Sequence, residues 1–142
     1  MELSATTLGA ELDARLLALY WKVGRDTRRE MSRSAASVLG TLRDTGPRRI
    51  TELAATEAVA QPSMTTLVGR LERDGLVTRG SDPDDARAVR VAITAEGLER
   101  LARMRAERAA LMDAALAELE PAERAAIAAA LPALHKLSEG KS

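Results

Sequence analysis

Apolar residues at Leu8, Leu12, Leu16, Leu19 and Val23 recur at steps of four, four, three and four. That is one face of a helix, predicted over about 7–29. Ser32 then stands where a helix cap belongs, followed by the apolar face Ala35, Val38, Leu39 and Leu42, and Thr45-Gly46-Pro47 closes this second helix. Arg48 and Arg49 flank a short first strand, and Thr51 is the expected cap of a third helix from Glu52 to about Glu57. Ala58-Val59-Ala60 makes a tight connection. Pro62 fits the first turn of a fourth helix that presents Leu67, Val68 and Leu71 inward and ends near Asp74, with Gly75 as its left-handed terminator.

From Leu76 the period changes. Leu76-Val77-Thr78-Arg79 and Val89-Arg90-Val91-Ala92-Ile93 alternate with period two around the polar loop from Gly80 to Arg87, which predicts a hairpin. Thr94 caps a long fifth helix from Ala95 to about Leu119, and Pro121 opens a sixth that carries Ile127, Leu131, Leu134 and Leu137. The fold class expected is mainly α with a small β-hairpin. Helix, turn, helix and hairpin between Ile50 and Thr94 make a winged helix-turn-helix, a layout that places one helix in the DNA major groove and the hairpin against the neighbouring backbone or minor groove.

Composition narrows the chemistry. With no cysteine, thiolate metal sites, disulfides and thiol-based sensing are excluded; with the single histidine His135 and no glycine-rich phosphate loop, no catalytic constellation forms and no cofactor is implied. An enzyme is not expected. No apolar run approaches the ~20 residues of a membrane span, and the segment beginning Met1-Glu2-Leu3-Ser4 lacks a basic stretch followed by an apolar one, so a cytoplasmic protein is expected. The 142 residues fit a single domain.

Charge counts against a simple electrostatic reading. The 21 basic and 21 acidic residues cancel, whereas a basic excess would have pointed directly to nucleic acid. Its distribution is uneven: residues 25–49 carry seven arginines (Arg25, Arg28, Arg29, Arg33, Arg43, Arg48, Arg49) against three acids. A winged-helix module for protein interaction or DNA architecture, without operator specificity, is the alternative that neutrality permits.

If the fourth helix enters the major groove, its first turns project Gln61, Ser63, Met64, Thr65 and Thr66 toward base edges, with Arg70 a turn further along. Gln pairs with adenine and Arg with guanine, while Thr and Met offer methyl groups to thymine. A capped, solvated helix start explains the same residues without DNA. At the hairpin, Arg87 is the one cation of a loop that also holds Asp82, Asp84 and Asp85; an arginine there suits a narrow minor groove, and the acids either begin the turn or orient Arg87, Arg70 or Arg90. Arg48, Arg49, Ser32 and Arg33 are candidates for phosphate contacts, with ordinary surface charge as the alternative. Tyr20 and Trp21, the only aromatic residues, are weak candidates for an aromatic effector site, with core packing the alternative.

The run Ile50-Thr51-Glu52-Leu53-Ala54, then Gln61-Pro62-Ser63-Met64-Thr65-Thr66-Leu67-Val68 and Arg70 to Arg79, closely resembles the MarR family of bacterial transcription regulators. So do Asp82-Pro83-Asp84-Asp85-Ala86-Arg87, Val89 to Thr94, and Gly97. The resemblance implies an obligate homodimer, with residues 1–30 and 95–142 as a helical dimerisation body and 31–94 as the DNA-binding lobe. It implies double-stranded DNA with a pseudo-palindromic operator as partner, Arg87 as the wing-tip arginine, and repression relieved by a small, often aromatic, ligand. The chain departs from the family pattern at Ala60, where Ser or Thr commonly caps the recognition helix. Leu3, Leu8, Leu12, Leu116, Leu119, Leu131, Leu134 and Leu137 also give more apolar helix surface than one chain of this length covers, which a two-fold dimer would bury.

Overall fold

The computed structural model describes residues 5–26 and 31–140. The chain runs α1 (Ala5–Asp26), α2 (Arg33–Thr45), β1 (Arg48–Arg49), α3 (Ile50–Thr56), α4 (Gln61–Arg73), β2 (Val77–Ser81), β3 (Val89–Ile93), α5 (Ala95–Ala117) and α6 (Pro121–Glu139). The end of the first predicted helix, Leu3, Arg28 and Arg29 lie outside the described residues, as does the side chain of Arg25. The chain divides into two compact units, one of residues 27–106 and one of residues 1–26 with 107–142, so that α5 contributes to both.

In the 27–106 unit the core is aliphatic. Ala35, Val38, Leu39 and Leu42 of α2 are buried with Leu53 and Ala54 of α3, Met64, Val68 and Leu71 of α4, Leu76, Val77 and Val91 of the sheet region, and Leu101 of α5. These α2 positions are the face predicted from spacing, and Ser32 caps the helix by accepting from the Ala35 N–H at 3.2 Å. α3 begins two residues earlier than Thr51 would place it: Arg49 stands at its N-cap, and the Arg49 N–H donates to Glu52 Oε1 at 3.2 Å. Thr51 is therefore inside the helix and not its cap.

The sheet has order β1-β3-β2 and is antiparallel throughout. β1 consists of Arg48 and Arg49 themselves, opposite Val91 and Arg90, so these arginines form the strand and do not flank it. The hairpin strands pair from Val77 with Ile93 to Ser81 with Val89. Gly80 and Ser81 thus belong to the strand, and the loop shortens to residues 82–88.

Two junctions hold the recognition region to α5. Gly75, at φ 75°, ends α4 in the left-handed conformation that favours glycine. Thr94 Oγ1 donates to the Gly75 carbonyl at 2.6 Å and accepts from the Gly97 N–H at 3.0 Å, and the Thr94 N–H donates to the Leu76 carbonyl. One side chain therefore caps α5 and ties its start to the end of α4. At Gly97 the backbone passes so near Leu76 that a side chain would overlap the Leu76 carbonyl oxygen.

The other unit has little buried interior of its own. α6 has no buried residue although it carries Ile127, Leu131, Leu134 and Leu137. On α1, Leu8, Leu16, Leu17 and Leu19 are exposed, while Val23 is buried. Leu12 and Leu16 of α1 face Leu131, Leu134, His135, Leu137 and Ser138 of α6 across an open groove of about 680 Å³. Arg124 Nη1 closes the α5–α6 turn by donating to the Leu119 carbonyl at 2.6 Å. No helix among the described residues is long and apolar enough to cross a membrane.

Candidate nucleic-acid interface

The geometry of α4 follows from its buried residues. Met64, Val68 and Leu71, at steps of four and three, fix the inward face. Gln61, Ser63, Thr65, Thr66 and Arg70 are exposed, and Thr66 and Arg70 lie away from the buried stripe. Met64 is the exception among the candidate readers: it is fully buried beside Val68 in the core. Its place four residues before Val68 decides this, and its methyl group does not reach a base edge. No side chain caps the helix at Ala60, whose carbonyl still accepts from the Met64 N–H at 3.1 Å.

The two threonines are not free hydroxyls. Thr65 Oγ1 donates to the Gln61 carbonyl at 3.0 Å and Thr66 Oγ1 to the Pro62 carbonyl at 3.1 Å. With the proton committed to the backbone, each side chain offers outward an acceptor oxygen and a methyl group, which suits a thymine methyl or an amino donor. Among the described residues Arg70 has no ion-pair or side-chain hydrogen-bond partner, so its guanidinium is available. Arg73 and Arg79 are engaged nearby, through the Gly69 carbonyl and Glu72 respectively.

The wing loop is built by its acids. Asp82 Oδ1 accepts from the Asp84 N–H at 2.8 Å, Asp85 Oδ1 accepts from the Arg87 N–H at 2.9 Å, and the Ala88 N–H donates to the Asp85 carbonyl. These bonds make two successive Asx turns. Asp85 thus orients the Arg87 backbone, and its carboxylate makes no ion pair with Arg87, Arg70 or Arg90 at salt-bridge distance. The exposed Arg87 guanidinium has no partner among the described residues. Arg90 instead donates to the Pro47 carbonyl at 3.2 Å.

Arg48 Nη1 donates weakly to the Pro47 carbonyl at 3.3 Å and Ser32 is occupied as a helix cap, its residue still exposed. Arg49 is different: its Nε lies 2.7 Å from Asp82 Oδ2. The Arg49 hydrogen bond, and then the Asp84 N–H, hold the Asp82 carboxyl below the usual carboxylate range. Asp82 was legible only as a turn former. Its pairing crosses 33 residues, and no local spacing signals it. Tyr20 and Trp21 pack edge to face at 5.9 Å on α1, 36% and 49% exposed, and so are not core residues within the single chain. His135 Nε2 lies 3.2 Å from Glu139 Oε2 on the α6 surface.

A lobe of three helices, α2 to α4, with an antiparallel wing and with polar readers exposed on α4, defines a winged helix-turn-helix. The model of the MarR family matches residues 31–89. The HTH-type transcriptional repressor IacR of Pseudomonas putida is 40% identical over 68 residues, 47% of this chain. The match spans 40% of that relative's own length. Among solved structures, a protein of Pseudomonas aeruginosa PA01 described as a transcriptional regulator is 33% identical and superposes with TM-score 0.81, covering 94% of this chain and 95% of the other. BpsR of Bordetella bronchiseptica, whose DNA binding is regulated by 6-hydroxynicotinic acid, shares the fold at 24% identity and TM-score 0.59, over 97% and 95% of the two chains. The chain belongs to the MarR family, a family of transcription regulators and not of enzymes.

Proposed function

We propose that the chain is a homodimeric, sequence-specific DNA-binding repressor, in which residues 31–94 read the operator and residues 1–30 with 95–142 form the dimer body. The observation that carries this reading is the pairing of a polar α4 face, anchored by the buried Met64-Val68-Leu71 stripe, with an unpaired Arg87 at the wing. α4 enters the major groove with Gln61, Ser63, Thr65, Thr66 and Arg70 toward base edges, and Arg87 enters the adjacent minor groove, where a narrow A·T-rich segment concentrates negative potential. Arg48 and the Ser32 helix start approach phosphates. Because the net charge is zero, affinity rests on these few contacts presented twice and not on bulk attraction.

Selection of duplexes from a random pool tests the reading. A pseudo-palindrome with half-sites about one turn, ~34 Å, apart supports it. Recovery of no preferred sequence would contradict it and favour an architectural or protein-binding module.

Two substitutions refine the contacts. Arg87→Ala is expected to weaken operator binding by roughly tenfold or more while leaving the dimer intact, and to lower the salt dependence of the binding constant by about one counterion. A salt-controlled titration with unchanged affinity would remove Arg87 from the interface. Thr66→Ser, which deletes only the methyl group, is expected to cost about three- to fivefold, the worth of one buried methyl contact, whereas Thr66→Val retains affinity. Replacing the half-site thymines one at a time by uracil should reveal one position that costs the wild type a similar factor and costs Thr66→Ser nothing. If the serine variant loses affinity equally for every sequence, Thr66 positions the backbone instead.

Relief of repression by a small ligand rests on family membership. The BpsR effector, 6-hydroxynicotinic acid, is a suitable first probe: release of the protein from its operator at millimolar concentration would support ligand control of that class, and unaltered binding would exclude this compound.

A further inference from the structure

Asp82 is the one buried charged residue among the described residues, with its side chain 5% exposed. A carboxylate withdrawn from water is tolerated only where every lone pair is met, and its partners show what it joins. Oδ2 receives Arg49 Nε from β1 at 2.7 Å, and Oδ1 receives the Asp84 N–H from inside the wing loop at 2.8 Å. The Asp82 N–H donates to the Ala88 carbonyl, which closes the loop at its far side, next to Arg87. Two further bonds, from the Arg87 N–H to Asp85 and from the Ala88 N–H to Asp85, make the seven residues a braced arch. The only side-chain bond described between this arch and a segment outside the hairpin is the Arg49 guanidinium.

Arg49 is also poorly placed to act as an independent cation. Its Nε is spent on Asp82, and Asp85 and Glu52 lie close enough to favour its charge further. A phosphate would compete with carboxylates already in place.

We infer that Arg49 is a positioning residue of the DNA interface, which through Asp82 locks the wing loop to β1 and so presents Arg87, and is not itself a phosphate contact. The inference rests on the proposed operator binding and adds the means by which the wing holds its geometry. Preorganising a single arginine matters here because the neutral chain has few contacts over which to spread the entropy of ordering a loop.

The sign of one substitution separates the two roles. Asp82→Asn removes a negative charge beside the DNA, so bulk electrostatics alone would tighten binding; loss of the lock should weaken it by about tenfold, approaching the loss of the Arg87 contact itself. Affinity and its salt dependence are measured on the selected operator for the wild type, Asp82→Asn, Arg49→Gln, Arg87→Ala and the Arg49→Gln/Arg87→Ala pair, each checked by thermal melting. Arg49→Gln is expected to cost about as much as Asp82→Asn in the wild type and little more in the Arg87→Ala background, with partial rescue by Arg49→Lys. Should Asp82→Asn fail to fold, the Arg49 series carries the test alone.

Additive losses for Arg49→Gln and Arg87→Ala, with the salt slope falling by about one for each, would overturn the inference and make Arg49 a phosphate contact. So would Asp82→Asn binding as tightly as the wild type or more so. A wild type that selects no operator would overturn the DNA-binding reading itself, which distinguishes that failure from failure of the lock.

Discussion

Leu131→Glu is expected to convert the protein to monomers and to lower operator affinity by 10²–10⁴-fold, while the 27–106 unit keeps its fold. Leu131 is 56% exposed on a helix that buries none of its own residues, and it borders an apolar groove with Leu12 and Leu16 of α1. Covering a leucine side chain is worth about 1.5–3 kcal/mol, so a pair of helices that also exposes Leu8, Leu16, Leu17 and Leu137 has a large incentive to associate. A buried, unpaired carboxylate at its centre reverses that incentive. The loss of affinity follows from linkage: once one half-site is bound, the second lobe binds at an effective concentration that a monomer cannot reach. Sedimentation at micromolar concentration reads the assembly, and titration of full and half operators reads the affinity. Leu137→Glu, at a position 67% exposed, gives a second variant less able to disturb a helix within one chain. Variants that remain dimeric with full affinity would place the dimer surface elsewhere.

Gly97→Ala is expected to destabilise the 27–106 unit by about 2–3 kcal/mol, lowering its melting midpoint by roughly 10–20 °C. A Cβ at this position overlaps the Leu76 carbonyl oxygen and comes within 2.8 Å of Ile93 Cγ1. The backbone carbonyl cannot swing aside as a flexible side chain would, because it also accepts the Thr94 N–H that seats the start of α5. Relief therefore requires α5 to move, which disturbs the Thr94 bonds to Gly75 and Gly97 as well. Calorimetry checks the expectation, and a midpoint within a degree of the wild type would show that the α5 start has room to shift.

The helical skeleton was readable because its signals are local. Ser32 and Thr94 cap the helices they precede, Gly75 takes the left-handed turn assigned to it, and the α2 stripe is buried at all four predicted positions. Failures have equally definite causes. Met64 has the chemistry of an outward reader, but helical spacing from Val68 and Leu71 puts it in the core. β1 is two residues long, too short for alternation to register, and its pairing with β3 is set by tertiary packing. The Arg49–Asp82 bond joins positions 33 residues apart, so a loop that reads as a simple Asp-Pro turn conceals a buried, paired carboxylate. Arg49 reads as a candidate for phosphate from sequence because its side-chain partner, Asp82, is 33 residues away.

In the proposed repressor, two copies of the α4 and wing surface act together on one duplex. The mass of the complex on the selected operator reads this, measured alongside the affinity for the same duplex with one half-site scrambled. Two chains per full duplex, with an affinity loss of 10²-fold or more on scrambling one half, is the expected result. One chain per duplex, or equal affinity for the full and half-scrambled sites, would contradict it.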